Sequence, residues 1–197
     1  MALSSPQVRF SGPHRPQQWS LPDNTIYYIT TNPLSAKVYQ KLTKTCKYFY
    51  SKNPITVCAE LNSNSEENKK DEDKEFLLWL EQNAFDFNCR WEDGIRKFID
   101  LNTIPDKLWI TDNIEIFDTD LTEKQNLISF IFPKIYRCDI KSLCLQDQNI
   151  SFSQFLFLSS NVESLHFGNV IVKNKDENIV SLEKLVETAV KIQTLKL

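Results

Sequence analysis

Glycine is nearly missing from this 197-residue chain, with three residues against thirteen phenylalanines. So few glycines exclude the glycine-rich phosphate loops of nucleotide enzymes and barrels built on tight glycine turns. No P-loop or dinucleotide fingerprint is present. Histidine is almost as rare, with only His14 and His166. Zinc needs several clustered ligands, and two distant histidines with scattered thiols do not supply them. The five cysteines, Cys46, Cys58, Cys89, Cys138 and Cys144, include no CxxC pair. An odd number at no metal-ligand spacing reads as buried small hydrophobes in a reducing compartment, cytosol or nucleus. No apolar run approaches the roughly 20 residues of a membrane helix, and Met1 to Ser20 lacks the apolar core of a signal peptide. With a formal charge of −3 and a pI near 5.5, no Lys/Arg block marks a nucleic-acid face.

These gaps weigh against catalysis. A thiol or hydroxyl nucleophile needs a base within hydrogen-bond reach. Cys144 and His166 are the nearest approach to such a pair, yet a histidine flanked by core residues on a strand is ordinarily a surface residue. The carboxylate runs Glu66-Glu67 and Asp71-Glu72-Asp73 sit in a polar stretch with no desolvated pocket to raise a pKa. The chain therefore reads as non-enzymatic, without cofactor or metal, and its function as recognition of other proteins.

What is present is a Phe- and Leu-rich interior, 41% hydrophobic and 25% charged, at 23.0 kDa. That suits one domain, or one domain plus a small helical module. Residues 1–18 carry Pro6, Pro13 and Pro16 and read as a flexible leader. A strongly patterned block runs from Trp19 to Tyr50, followed by an apolar stretch, Pro54 to Leu61, of undecided type. Residues 62–75 (NSNSEENKKDEDKE) hold no large apolar side chain and read as a linker or exposed loop. The spacing of apolar residues predicts a helix over Phe76 to Asn83 and another over Trp91 to Asp100.

From Ile104 onward a repeat emerges. Ile140-Lys-Ser-Leu143-Cys-Leu145, Val162-Glu-Ser-Leu165-His-Phe167 and Ile192-Gln-Thr-Leu195-Lys-Leu197 share one template: aliphatic, any, Ser or Thr, Leu, any, apolar. They begin 22 and 30 residues apart, and Lys107-Leu108-Trp109-Ile110 reads as a weaker copy. Helices are expected between them: Leu121 to Phe132 behind a D-x-x-E capping box, Ser153 to Leu158, and Leu182 to Val190 after Ser181. Short strand, return helix and short strand at such periods point to a leucine-rich-type solenoid. An ordinary α/β or α+β domain with chance LxL strands is the alternative. In the solenoid, alternation sends the Leu-x-Leu side chains to the core. Lys107, Trp109, Thr111, Ser142, Cys144, Gln146, Ser164, His166, Thr194 and Lys196 then line one concave, partner-binding sheet. Trp109 is its natural anchor, unless it packs under Phe117 or Phe132. Solenoids usually end in a cap, so a chain stopping at Leu197 reads as incomplete there, or as covered by a partner.

The block at 21–50, LPDNTIYYITTNPLSAKVYQKLTKTCKYFY, opens with Leu21-Pro22-Asp23, a helix start. Ile26 and Ile29 form a stripe, and after a polar turn Val38, Leu42 and Cys46 recur every fourth residue. Two such short helices cannot hold a core alone. Leu-Pro, two spaced isoleucines, a polar turn, then an aliphatic–Leu–Cys-Lys helix ending in aromatics resembles an F-box, in a style similar to the divergent F-box-like sets of nematodes. The resemblance implies docking of Leu21, Pro22, Ile26, Ile29, Val38, Leu42 and Cys46 on a Skp-type adaptor of a cullin–RING ubiquitin ligase, with the C-terminal part recruiting an unknown protein substrate. The expectation is thus an α/β chain: an F-box-like helical segment at 19–61, then at 76–197 helices leading into a short, irregular leucine-rich-repeat-like solenoid. It works in cytoplasm or nucleus, with no nucleic-acid or membrane partner. A helical hairpin acting only as an N-terminal cap, on a stand-alone interaction scaffold with no ligase link, is the alternative.

Overall fold

The computed structural model describes residues 18–63, 86–90, 96–100, 107–117 and 127–197, with backbone only at 86–90 and 96–100. Three helices open the described chain: α1 (Asp23–Thr31), α2 (Ala36–Thr45) and α3 (Lys47–Lys52). Pro22 occupies the N-cap of α1, and the Ser35 hydroxyl caps α2 by accepting from the Val38 N–H, removing one of the unpaired donors at a helix start. Then come β1 (Ile55–Asn62), β2 (Asp86–Arg90), β3 (Arg96–Asp100) and β4 (Lys107–Ile116). Helix α4 (Leu127–Ile131) leads through a 3-10 turn at Phe132–Lys134 into β5 (Ile135–Cys138) and β6 (Ser142–Gln146). The rest is β7 (Asn149–Ser151), α5 (Phe152–Ser159), β8 (Ser164–Gly168), β9 (Ile171–Lys173), α6 (Leu182–Thr188) and β10 (Thr194–Lys196).

These strands form a mostly parallel sheet ordered β10-β8-β6-β4-β1-β2-β3, with β5 pairing beside β4. Only the β1–β2 and β2–β3 pairs are antiparallel. The chain is thus mixed α/β. Between parallel neighbours the crossover helices α4, α5 and α6 pack Ile128, Ile131, Phe155, Leu158, Leu185 and Ala189 against one face. Leu143, Leu145, Leu165 and Phe167 meet them from the strands, and Ile140 and Val162 are wholly buried just ahead. The repeated template therefore does what alternation demands of it. Helix α5 starts on a reciprocal capping box: Ser151 Oγ accepts from Gln154 N–H, and Gln154 Oε1 accepts from Ser151 N–H. The turns leaving β6 and β8 correspond as well. Asp147 and Asn169 both adopt left-handed φ, 53° and 51°, which Asn and Asp tolerate best after glycine. The Asn169 amide donates to the Asp147 carboxylate at 2.7 Å. Behind them β7 and β9 pair as a second, two-stranded parallel sheet.

Several expectations need correction. The segment expected to be helical at Trp91 to Asp100 contains a strand, Arg96–Asp100. Its Ile95, Phe98 and Ile99 fit helical spacing, but β2 gives Phe98 and Ile99 a ladder to join, and pairing overrides weak local preference. The undecided stretch at 54–61 is β1, and it reaches Asn62, formerly assigned to the linker. Residues 64–75 of the linker, the leader up to residue 17 and the helix expected at Phe76 to Asn83 lie outside the described residues. Cys58 is disulfide-bonded, whereas Cys46, Cys138 and Cys144 keep their thiols, so the five cysteines are not uniformly thiols. Sequence spacing looks for close pairs and misses bridges made by tertiary pairing.

On the sheet's opposite face lies a second, smaller cluster: Ala36 and Tyr39 of α2 against Ile55, Val57 and Trp109, with Tyr136 alongside. The Tyr39 hydroxyl donates to the Asn53 carbonyl at 2.7 Å and accepts from the Ile55 N–H at 3.0 Å. Asn53 in turn donates to the Thr30 carbonyl at the end of α1. Replacing Tyr39 by Phe leaves two buried backbone groups without partners, at about 1–3 kcal/mol. The expected outcome is a matching loss in urea-unfolding stability at unchanged helix content; an unchanged midpoint would refute this account.

Candidate protein-interaction surfaces

The face carrying Tyr39 and Trp109 holds both regions that sequence marked for recognition. Along β4, alternation places Trp109, Asn113 and Glu115 on one side and Leu108, Ile110, Ile114 and Ile116 in the main core. Helix α2 covers this face over Trp109. Towards the strand ends its residues are half-buried to exposed, and two polar rows cross it in register. One runs Glu60, Asn113, Ser142, Ser164, Thr194; the next runs Asn62, Glu115, Cys144, His166, Lys196. Gln146 stands beyond them, exposed, beside Gly168.

Of the ten residues expected on the partner-binding face, Ser142, Cys144, Ser164, His166, Thr194 and Lys196 occupy these rows. Lys107 is exposed at the start of β4, where its ammonium lies over the Tyr136 ring at 5.6 Å, and Thr111 is half-buried. Trp109 is not a surface anchor. It is wholly buried, with its indole N–H donating to Asp139 Oδ2 at 2.8 Å and the Arg137 guanidinium over its ring at 4.7 Å. It packs against Tyr39 and Tyr136, neither Phe117 nor Phe132. Apolar burial and a satisfied indole N–H outweigh its place in the repeat.

The missed members of the rows are Glu60, Asn62, Asn113 and Glu115. Sequence reading took Lys107 to Ile110 as the first template copy, but the strand register equates Asn113-Ile114-Glu115-Ile116 with Ser142 to Leu145. Its alternation was a readable signal, hidden by Asn and Ile standing where the template has Ser or Thr and Leu. Glu115 accepts from the Asn113 amide at 2.7 Å and the Asn62 amide at 3.1 Å, which fixes a carboxylate in mid-sheet. Burial, then Glu115 beside it, holds the Cys144 thiol above its ordinary range, offset in part by Lys196. That is the wrong direction for an activated nucleophile. Buried Cys138 goes further, pushed up to about 12 chiefly by desolvation. Among the described residues no group of three His, Cys, Asp or Glu could hold a metal, and no helix is long and apolar enough to cross a membrane.

The second region is the helical segment. Its expected docking stripe divides in two. Ile26 is buried at 5% exposure, and Ile29, Leu42 and Cys46 are half-buried, whereas Leu21, Pro22 and Val38 are exposed. The inward face of α2 is Ala36 and Tyr39, one position off the predicted Val38–Leu42–Cys46 stripe. Sequence reading missed the exposed Tyr27, Tyr28 and Leu34, the last at 85% exposure. Trp19 folds back edge-on against Tyr48 and Phe49, each at 5.6 Å, so α3 is held against the start of α1.

No family model, curated protein or solved structure matches the chain.

Removing the charge of Glu115 with Glu115→Gln is expected to lower the Cys144 pKa, since a thiolate would then form beside a neutral amide. Iodoacetamide labelling of Cys144 at pH 8 should quicken several-fold, read by peptide mass spectrometry; an unchanged rate would place the carboxylate elsewhere. In the same assay, denatured but unreduced protein should label at Cys46, Cys138 and Cys144, and at Cys58 only after reduction.

Proposed function

We propose that this chain is a non-enzymatic, substrate-recruiting adaptor of a Skp–cullin–F-box-type ubiquitin ligase. Helices α1 and α2 dock on a Skp-type protein, and the polar rows of a short leucine-rich-like solenoid receive the target protein. The observation that carries this reading is the division of labour on α1–α2. One face, Ala36 and Tyr39, is used to seat the segment on its own sheet, and Ile26 of α1 is buried as well. Another presents Leu21, Tyr27, Tyr28, Leu34 and Val38 to solvent, a concentration of large apolar groups typical of interaction surfaces. The repeated in-register strands, with matching left-handed turns at Asp147 and Asn169, support the solenoid part. The proposed setting is cytoplasm or nucleus, where Cys46, Cys138 and Cys144 remain thiols and the Cys58 bridge faces reduction.

A second reading, a stand-alone interaction scaffold with no ligase link, is favoured by the burial of Ile26 and the Tyr39 seat. These make the helices part of the chain's own packing. The two readings separate in one experiment. Leu34→Asp/Val38→Asp alters exposed positions only, so its melting temperature should stay within about 2 °C of wild type. On the adaptor reading it abolishes binding to a purified Skp-type protein in calorimetry, whereas Ser164→Asp/His166→Asp does not. Equal binding by both variants, or none by the wild type, would leave the scaffold reading.

A further inference from the structure

The helical segment has a charge pattern unlike the rest of the chain. From Asn24 to Ala59 there is no Asp or Glu, yet five lysines occur, Lys37, Lys41, Lys44, Lys47 and Lys52, in a chain of formal net charge −3. All five are exposed. Three lysines of the C-terminal half do pair with carboxylates: Lys141 with Glu163, Lys173 with Glu177, Lys184 with Glu187. Lys37, Lys41 and Lys44 make no ion pair among the described residues.

Spacings of four and three put these three ammonium groups on one stripe of α2, opposite Ala36 and Tyr39, which face the sheet. Like charges so spaced oppose the helix, and among the described residues no carboxylate pairs with them. Val38 borders the stripe and Leu34 lies one turn before it, so the lysines rim the exposed apolar group.

We infer that the Lys37–Lys41–Lys44 stripe is an electrostatic contact for an acidic protein surface, engaged together with Leu34 and Val38. The chemistry favours carboxylates over other anions. The segment contains no arginine, the residue whose planar fork suits phosphate. A membrane-surface helix carries its apolar residues as one continuous stripe; here they are spread over α1, the α1–α2 turn and α2, and the apolar face of α2 is occupied by the sheet. A protein with carboxylates around an apolar recess fits both features. The inference rests on the adaptor reading only for which protein carries those carboxylates.

The test uses the full chain and Lys37→Glu/Lys41→Glu/Lys44→Glu, with Lys→Gln at the same positions as the uncharged control. Against a purified Skp-type protein in surface plasmon resonance, the reversed variant should associate about tenfold more slowly at low salt, and the Gln variant by an intermediate factor. Wild-type association should fall about tenfold between 50 and 500 mM NaCl, and that dependence should vanish in the reversed variant. Identical association of all three overturns the inference while leaving the adaptor reading standing. If the wild type does not bind the Skp-type protein, the adaptor reading fails and a second probe decides the inference. That probe is an amphipathic peptide of alternating leucine and glutamate, followed by amide chemical shifts. Shifts confined to α1–α3 and absent in the reversed variant support it. No shifts, or binding to phosphatidylserine vesicles in place of the peptide, overturn it.

Discussion

A single phenol ties the two halves of the described chain together. The Tyr39 ring lies against Trp109 while its hydroxyl closes the chain between α3 and β1, holding Asn53 and Ile55 at once. Through Asn53 the same contact reaches the end of α1. Trp109 is anchored from its other side by Asp139, which also pairs with Arg137 at 2.9 Å, and Asn161 adds a longer bond to the same carboxylate. The helical segment is therefore coupled to the sheet by an aromatic seam whose polar atoms are satisfied, the condition under which a buried polar network adds rigidity and not cost.

That seam decides what each surface can do. By spending Ala36 and Tyr39 on the sheet, α2 must turn its lysines and Val38 outward. It packs on β4 over Trp109, and the half-buried polar rows around Glu115, Cys144 and His166 run beyond that contact. The two surfaces differ in kind: one is apolar with a cationic rim, the other a flat array of short polar side chains with a fixed carboxylate. Just ahead of the polar rows, Asp112, Lys141, Glu163 and Gln193 follow one another across the strands through backbone bonds, and Lys141 pairs with Glu163. Register and surface chemistry are set by the same positions.

Much of the sheet was legible because Leu143, Leu145, Leu165 and Phe167 recur in a fixed phase, and the phase of a strand dictates its buried side. Helix α5 was legible from its short apolar run, and its boundaries follow from the Ser151–Gln154 cap. The candidate surface was legible where the template is intact, at Ser142, Cys144, Ser164 and His166. It failed at β4, which is longer than its partners and pairs β5 and β6 in succession. Its first half imitates a template copy while its second half fills that place. Trp109 was misjudged for the same reason: its burial comes from α2, some 70 residues earlier in the chain, and no local pattern reports a neighbour that distant. The β2–β3 pair and the Cys58 bridge likewise depend on long-range pairing, to which periodicity is blind.

The unequal spacing of the last three template copies, 22 and then 30 residues, also has an architectural meaning. The additional length falls after β9, where Asn174 Oδ1 accepts from the Asp176 and Asn178 N–H groups and Val180 N–H returns to the Val172 carbonyl. The excursion closes on itself, and β10 still meets β8 residue for residue. Because that loop closes on its own bonds, its length is independent of the ladder, and the β8–β10 register does not depend on how many residues the excursion holds.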